Sequence, residues 1–280
     1  MITGRHGWKA GIALGVLLAT VAIALPAARR VPKAAPEASA SVQRQTAKLK
    51  SAAATVNPGP APAFRTGETL NYRVAWAAFS SAATLQLTVP ERRDLFGSKT
   101  WHFRAAAHTL SPVRSLFTVD DQFDSYSDET TLASRQYETH LNEMGRKEDQ
   151  VLHFVSPGER SRAPGPSVEV LAGTRDPLGA FYALRGVDWQ RTPEFRAPVY
   201  DGRDVFEISA TRESASETIA ASGGRISASR VAVRVFQHGR ELSAIRFLVW
   251  FTNDAARTPV VIQAQLPFGN LRAELTAASQ

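Results

Sequence analysis

The 280-residue chain contains no cysteine. This excludes disulfide bonds, thiol nucleophiles, Cys-ligated metal sites and acylation of a lipoprotein cysteine. The chain also lacks a Gly-x-Ser-x-Gly elbow, a His-Glu-x-x-His motif, a Ser-x-x-Lys motif and a P-loop. With these signatures absent, we expect a non-catalytic protein that needs no cofactor.

Acidic residues are scarce at the N-terminus and ordinary elsewhere. Residues 1–62 hold eight Lys or Arg and one acid, which accounts for the whole formal charge of +7. The other 218 residues carry 25 bases and 25 acids. The sequence therefore predicts no nucleic-acid partner for the globular part, because a polyanion-binding domain concentrates positive charge. The basic surplus favours a position beside anionic lipid headgroups.

Long apolar runs are confined to one place, 16 residues from Ala10 to Leu25 that follow the bases Arg5 and Lys9. The run is short for a transmembrane helix and long for the core of a signal peptide. We predict that residues 1–28 are a signal peptide or a membrane anchor. Either alternative places the rest of the chain in the periplasm, secreted after cleavage or tethered to the inner membrane.

Aromatic residues are absent from the next stretch, 31–63, which is rich in Ala, Pro and Ser. Such a composition buries too little apolar surface to offset the entropy of ordering. We predict a disordered linker over residues 29–63 and a single domain over residues 64–280.

The globular part shows the period of two that is typical of β-strands. Apolar and polar side chains alternate over the runs 70–76, 83–89, 101–105, 206–210, 231–235, 245–251, 260–266 and 271–275. Turn signals such as Phe96-Gly97-Ser98, Gly223-Gly224 and His238-Gly239 separate the runs, and about 11–14 short strands fit the length. The pattern predicts an all-β, mainly antiparallel fold, a strongly curved sheet or a half-open β-barrel or β-spiral.

One short helix is predicted inside this β-rich domain. Asp176 is a favoured N-cap residue and Pro177 occupies the favoured first helical position. Gly186 is placed to end the helix. The apolar side chains between them are expected to cover the open side of a curved sheet.

Several stretches, in a consistent order and spacing, resemble a known family. They are residues 64–72 with Trp76 close behind, 120–128, 176–185, 249–254 and 257–260, followed by Gly269 and residues 273–275. This pattern is similar to the bacterial domain of unknown function numbered 3108, which opens with a Gly-Glu-x-Leu-x-Tyr strand, has an Asp-Pro-led helix and ends with an Asp-x-x-x-x-Pro strand pair. The resemblance implies an exported domain with a strongly curved antiparallel sheet around a helix, and it supplies no catalytic residues.

Large rings at alternating strand positions form a candidate apolar cavity. The candidate lining residues are Tyr72, Trp76, Trp101, Phe103, Phe247 and Trp250. An ordinary filled core is the alternative for these rings. Three residues of the predicted helix, Asp176, Tyr182 and Arg185, are candidates for polar contacts with a ligand, although Arg185 also suits the negative end of the helix dipole.

No metal site is predicted from the spacing of histidines and acids. His102 and His108 are about 20 Å apart along one strand, too far to share an ion. His140, His153 and His238 are scattered. The acidic segment 120–128 lacks a calcium-loop pattern and is interpreted as a solvated strand end.

Three functions remain open. The first is a carrier or binding module for a lipid, an acyl chain or an apolar peptide. The second is an envelope scaffold that contacts other proteins through a sheet edge. The third is a hydrolase of the cell wall or of polysaccharide, which would gain support if Asp120 or Asp124 were buried beside a second carboxylate with a raised pKa.

Overall fold

The computed structural model describes residues 62–158, 161, 163–221, 224–267 and 269–279. The predicted export segment 1–28 lies outside these residues, as does the predicted linker 29–63 apart from its last two positions. Ala63 is already buried in the core, 3% exposed. Among the described residues there is no helix with the length and apolar character to cross a membrane.

Thirteen strands form one sheet in the described part of the chain. In chain order they are β1 Thr69–Trp76, β2 Phe79–Leu95, β3 Ser98–Thr109, β4 Asp120–Asp128, β5 Ser134–Glu143, β6 Arg146–Val155, β7 Ser167–Glu169, β8 Glu194–Tyr200, β9 Val205–Ala221, β10 Gly224–Gln237, β11 Arg240–Thr252, β12 Pro259–Leu266 and β13 Gly269–Ser279. A 3₁₀ turn spans Val113–Ser115, and one α-helix, α1, spans Pro177–Gly186 between β7 and β8.

The strand order is β7-β6-β5-β4-β3-β2-β1-β13-β12-β11-β10-β9-β8, so the first and last strands are neighbours at the centre of the sheet. Neighbours are antiparallel except β6 and β7, which are parallel. The prediction of an all-β, mainly antiparallel fold with one short helix is confirmed. The sheet is not closed into a barrel, because β7 and β8 are its two unpaired ends.

The two ends of the sheet nevertheless approach each other. The Arg175 N–H donates to Pro198 O on β8 over 3.1 Å, and the Ser134 N–H on β5 donates to Thr174 O over 3.1 Å. The rings of Phe154 on β6 and Tyr200 on β8 lie 6.0 Å apart. The segment that leads into α1 therefore bridges the gap at one point, and α1 packs against β3, β4 and β8.

Three hairpins turn on two residues that both have positive φ, Phe96–Gly97, Met144–Gly145 and His238–Gly239. Such turns match the twist of the strands that they join. The first and third coincide with predicted turn signals. The second was not predicted.

The interpretation of residues 120–128 as a solvated strand end is wrong. They form β4 itself, with Asp121 and Asp124 each 1% exposed. Both faces of β4 are covered, since Ser125 contacts the start of α1 while Asp124 contacts β3 on the other side. A strand buried on both faces shows no apolar alternation when its buried groups are polar and paired.

Candidate functional site

The N-terminus of α1 is held by a buried carboxylate. Asp176 is 0% exposed, and its Oδ1 accepts a hydrogen bond from the Gly179 N–H over 2.8 Å. Its Oδ2 accepts from Ser125 Oγ on β4 over 2.5 Å and from Ser134 Oγ on β5. Burial raises the pKa of Asp176, and these hydrogen bonds offset part of that rise. The predicted N-cap is thus also the point that fixes the helix to the sheet.

The C-terminal end of α1 is held by a buried ion pair. Arg185, 1% exposed, donates from Nη1 to Glu68 Oε1 and from Nη2 to Glu68 Oε2, the latter over 3.0 Å. Its Nε and Nη2 also donate to Ala256 O over 3.1 and 3.0 Å. Both terminal nitrogens of Arg185, which would bind the carboxylate of a ligand, therefore already donate to Glu68.

Tyr182 lies inside the fold as well. Its ring stacks on Phe103 with centroids 3.8 Å apart, and its hydroxyl donates to Thr88 O over 3.4 Å. Burial raises the pKa of this phenol above its usual range. Asp176, Tyr182 and Arg185 all fix α1 in place, and a role for them in contacting a ligand stays a prediction.

Phe64 fills the space between α1 and β3. Its ring meets Trp101, Phe103 and Tyr182 edge-on, with centroid distances of 5.0, 5.0 and 5.3 Å. Edge-to-face pairs at these distances are favourable beyond the burial of area. On this side of the helix, the predicted aromatic residues form a filled core.

On the other side of α1 there is an apolar cavity of about 60 Å³. It lies between the helix and the inner face of β8 to β12. All of its lining residues are apolar: Pro177, Ala180, Phe181, Leu184, Val199, Ile208, Val233, Val235, Phe247, Val249 and Ile262. Two larger clefts, about 300 and 480 Å³, have charged side chains such as Arg257 and Arg246 in their walls.

Of the six predicted lining rings, Phe247 alone lines this cavity. Tyr72 is in the core and donates its hydroxyl to Pro259 O over 2.7 Å, while Trp76 packs edge-on against Phe117. Trp250 was predicted to line the interior, but it belongs to a small second cluster instead. The reason is strand alternation, because its neighbours Val249 and Phe251 belong to the main core.

A polar cluster lies on β3 to β6, centred on the buried Asp124. Asp124 Oδ1 lies 2.5 Å from His102 Nε2 and 2.7 Å from Arg104 Nε, and Oδ2 accepts from Gln122 Nε2 over 2.6 Å. Burial raises the pKa of Asp124, but the bonds from His102, Arg104 and Gln122 outweigh it, so the pKa lies below its usual value. Asp124 is therefore an anion near neutral pH.

Two residues of β5 extend this cluster. Glu138 is directly opposite Asp124 in the register, and His140 is two residues further on the same face. His140 Nε2 lies 3.5 Å from Glu138 Oε2, and His140 Nδ1 lies 2.7 Å from Asp149 Oδ1 on β6. One ligand atom from each of Asp124, Glu138 and His140 lies within 4.8 Å of the others, the geometry of a candidate metal centre.

Sequence reasoning missed Phe64, Glu68 and the Glu138–His140 pair as site residues. The first two precede β1 and carry no periodic signal, so the signal that was available is their place in the stretch 64–72 that carries the family resemblance. The pair lies on β5, whose sequence has no apolar alternation, so the strand itself was not recognised. Without the strand, the distance between histidines along the chain did not reveal that Glu138 and His140 share a face. The available signal was that Glu138 and His140 are both metal-ligand types and lie two positions apart, which places them on the same face of a strand.

The family described as "Protein of unknown function (DUF3108)" matches residues 71–276. A search of curated proteins finds no match. Among solved structures, a β-barrel-like protein of the DUF1849 domain from Brucella abortus is 11% identical, with 76% of this chain and 96% of that chain covered and a TM-score of 0.47.

Two further solved structures show weaker likeness. A Bacteroides fragilis protein with a YmcC-like fold, provisionally described as exported, is 9% identical over 77% of this chain and 97% of that chain, with a TM-score of 0.33. A protein from Parabacteroides distasonis, provisionally described as a lipoprotein, is 8% identical over 77% and 96%, with a TM-score of 0.37.

Proposed function

This chain belongs to the DUF3108 family of proteins of unknown function, and we propose that it is an exported, non-catalytic module that binds the end of a lipid acyl chain. The observation that carries this proposal is the apolar cavity between α1 and β8 to β12, because its entire lining is apolar. Apolar pockets with few polar groups are the usual sites for apolar ligands.

The size of the cavity limits what it holds. Ligand pockets are usually about 300–1,000 Å³, and an apolar cavity of about 150 Å³ holds a benzene molecule. At about 60 Å³, this cavity accommodates a few carbon atoms at the tip of one chain. Because Asp176 and Arg185 fix both ends of α1, the helix is not free to leave and enlarge the space.

The affinity expected from the cavity alone is low. Burying three or four methylene groups contributes about 3 kcal/mol at roughly 0.8 kcal/mol each, less than the 4.1 kcal/mol of a millimolar complex. Attachment next to a bilayer would raise the effective concentration of acyl chains. The apolar N-terminal run with flanking bases provides such an attachment in the anchored alternative.

The scaffold alternative has less support from the edges of the sheet. β7 is three residues long, and β8 carries Pro198, whose carbonyl is already bonded to Arg175. Short edges and proline hinder the addition of a foreign strand. A raised pKa at Asp120 or Asp124 would favour the hydrolase alternative, but both pKa values lie below normal, that of Asp120 at about 2 because of the hydrogen bond from Arg114.

The test measures binding of a fluorescent fatty acid to the full chain, reconstituted with its own N-terminal segment in phospholipid vesicles, because the low expected affinity requires the high local concentration of acyl chains at a bilayer. Ala180→Leu extends a lining side chain into the cavity and is expected to abolish the saturable signal. Val205→Leu is the matched control, because this side chain is 49% exposed on β9. Circular dichroism verifies that each variant is folded.

Two results would contradict the proposal. One is the absence of saturable binding by the unaltered chain. The other is equal binding by folded Ala180→Leu and Val205→Leu. A fluorescently labelled apolar peptide that displaces the fatty acid would widen the ligand class to peptides while leaving the site in place.

A further inference from the structure

The cluster on β3 to β6 goes beyond the proposed lipid function. From its geometry we infer that Asp124, Glu138 and His140 bind a divalent transition-metal ion, with Zn²⁺ as the best fit. The three residues come from two neighbouring strands, β4 and β5, so paired backbone holds their spacing. This site shares no residue with the apolar cavity.

His140 is oriented as metal-bound histidines usually are. Its Nδ1 lies 2.7 Å from the Asp149 carboxylate, and a carboxylate can only accept, so in the neutral ring Nδ1 is the donor and Nε2 is the basic nitrogen. A carboxylate behind a histidine fixes the ring and increases the basicity of the ligand atom. Asp149 lies on β6, a strand that contributes none of the three ligands. Its contact with His140 is therefore an observation independent of the clustering of the ligands.

The spacing of the ligand atoms also fits. His140 Nε2 and Glu138 Oε2 are 3.5 Å apart. Two ligands on a tetrahedral Zn²⁺ with bonds of about 2.0–2.1 Å are separated by about 3.4 Å. The third ligand, Asp124, offers an oxygen within 4.8 Å of the ligand atoms of both other residues.

The carboxylates of the cluster favour a bound cation. Asp124, Glu138 and Asp149 lie close together, and Arg104 is the guanidinium bonded to this group among the described residues. Asp124 and Glu138 are directly opposed across the two strands, an arrangement that is destabilising for like charges. A divalent ion between them removes this repulsion.

The donor set selects the class of ion. One imidazole with two carboxylates suits Zn²⁺ and its first-row neighbours better than Mg²⁺ or Ca²⁺, which prefer oxygen alone. Arg104 and Gln122 are not ligands, but each donates a hydrogen bond to Asp124, Arg104 to Oδ1 and Gln122 to Oδ2. They therefore act as outer partners that orient this carboxylate. Such outer contacts typically affect metal affinity by about 10–100-fold.

The experiment strips the full chain with EDTA and then titrates it with Zn²⁺ alone against a chromogenic chelator. We expect one saturable site per chain. Glu138→Gln and His140→Ala should each weaken it by more than tenfold, and Asp149→Asn by about tenfold. Co²⁺ substituted at the site should show an absorption spectrum of tetrahedral nitrogen and oxygen coordination, which a surface ion would not give.

His108→Ala is the matched control. His108 also bonds an aspartate through Nδ1, at 3.1 Å from Asp120, but lies outside the cluster. It should leave Zn²⁺ affinity unchanged. The inference is overturned if the unaltered chain shows no stoichiometric Zn²⁺ binding, or if His108→Ala weakens binding as much as His140→Ala. Unchanged circular dichroism spectra confirm that each variant is folded, and Glu138→Gln, which is nearly isosteric, remains informative if His140→Ala does not fold.

Discussion

Arg185 at the end of α1 and Glu68 ahead of β1 form a buried ion pair with two contacts between residues 117 positions apart in sequence. The pair joins the helix to the segment that enters the sheet, the same segment that carries Phe64. Both side chains are at most 3% exposed, so water cannot replace a lost partner.

We expect Glu68→Leu and Arg185→Met each to reduce the free energy of unfolding by about 3–5 kcal/mol, because each leaves an uncompensated buried charge. The double variant should lose clearly less than the sum of the two. Chemical denaturation of all four proteins gives this coupling energy. Additive losses would show that the two side chains act independently.

Gly179 occupies a position where a methyl group does not fit. An added Cβ would lie 2.8 Å from Ser127 Oγ, 3.0 Å from Ser134 Oγ and 3.1 Å from Asp176 Oδ2. Gly-to-Ala changes in helices usually stabilise by about 1 kcal/mol. Here Gly179→Ala should destabilise by about 1–3 kcal/mol, because Ser134 would have to give up its hydrogen bond to Asp176 and Ser127 its hydrogen bond with Ser125.

The control for this prediction is in the same helix. At Gly186 the nearest atom to an added Cβ is Leu132 Cδ1 at 3.7 Å, an ordinary contact. Gly186→Ala should therefore be neutral or slightly stabilising in thermal denaturation. Equal changes in melting temperature for the two variants would rule out the crowding argument.

Glu143 should make stability depend on pH. Burial, together with Asp121 and Glu148, raises the pKa of Glu143 to about 7. The folded state then holds a proton that the unfolded state releases near pH 4.5, so this contribution is present below pH 4.5 and lost as the pH rises to 7. Glu143→Gln should be more stable than the unaltered chain at pH 8 by roughly 1 kcal/mol, after allowing for solvent screening.

Urea denaturation at pH 5 and pH 8 tests this expectation. The difference between Glu143→Gln and the unaltered chain should be small at pH 5 and larger at pH 8. A constant difference across this range would mean that Glu143 titrates as an exposed carboxyl group.

Phe64→Ala should destabilise the fold by about 3–5 kcal/mol, because it removes a ring with aromatic contacts to Trp101, Phe103 and Tyr182. The change in unfolding midpoint measures it. Leu116→Ala, at a side chain 61% exposed, is the control and should change stability by less than about 0.5 kcal/mol. Equal effects would place Phe64 outside the cooperative core.

The sequence predicted those elements whose buried face is apolar and whose other face is solvated. Leu70, Tyr72 and Val74 on β1 are buried at every second position, and α1 begins at Pro177 after Asp176 as its capping pattern indicates. β4 and β5 were not located, because many of their buried positions are polar, such as Asp124, which pairs with His102 on β3, and leave no periodic apolar signal.

The candidate site could be predicted only in part for a related reason. The rings were correctly expected to alternate along strands, but sequence alone does not tell which side of α1 each ring occupies. Phe64 fills one side, and the free space remains on the other, among aliphatic residues such as Val235 and Ile208. The Glu138–His140 pair became visible only when the register placed it opposite Asp124.

The pairing of β1 with β13 sets the timing of folding during synthesis. Partners in this pair are separated by 195 to 210 residues, from Trp76 with Leu271 to Thr69 with Ser279. At translation rates of about 5–20 residues per second, β1 waits roughly 10–40 s for its second neighbour. During that interval one edge of a central strand is open to pairing with another chain, so aggregation of nascent protein is the hazard that this topology creates.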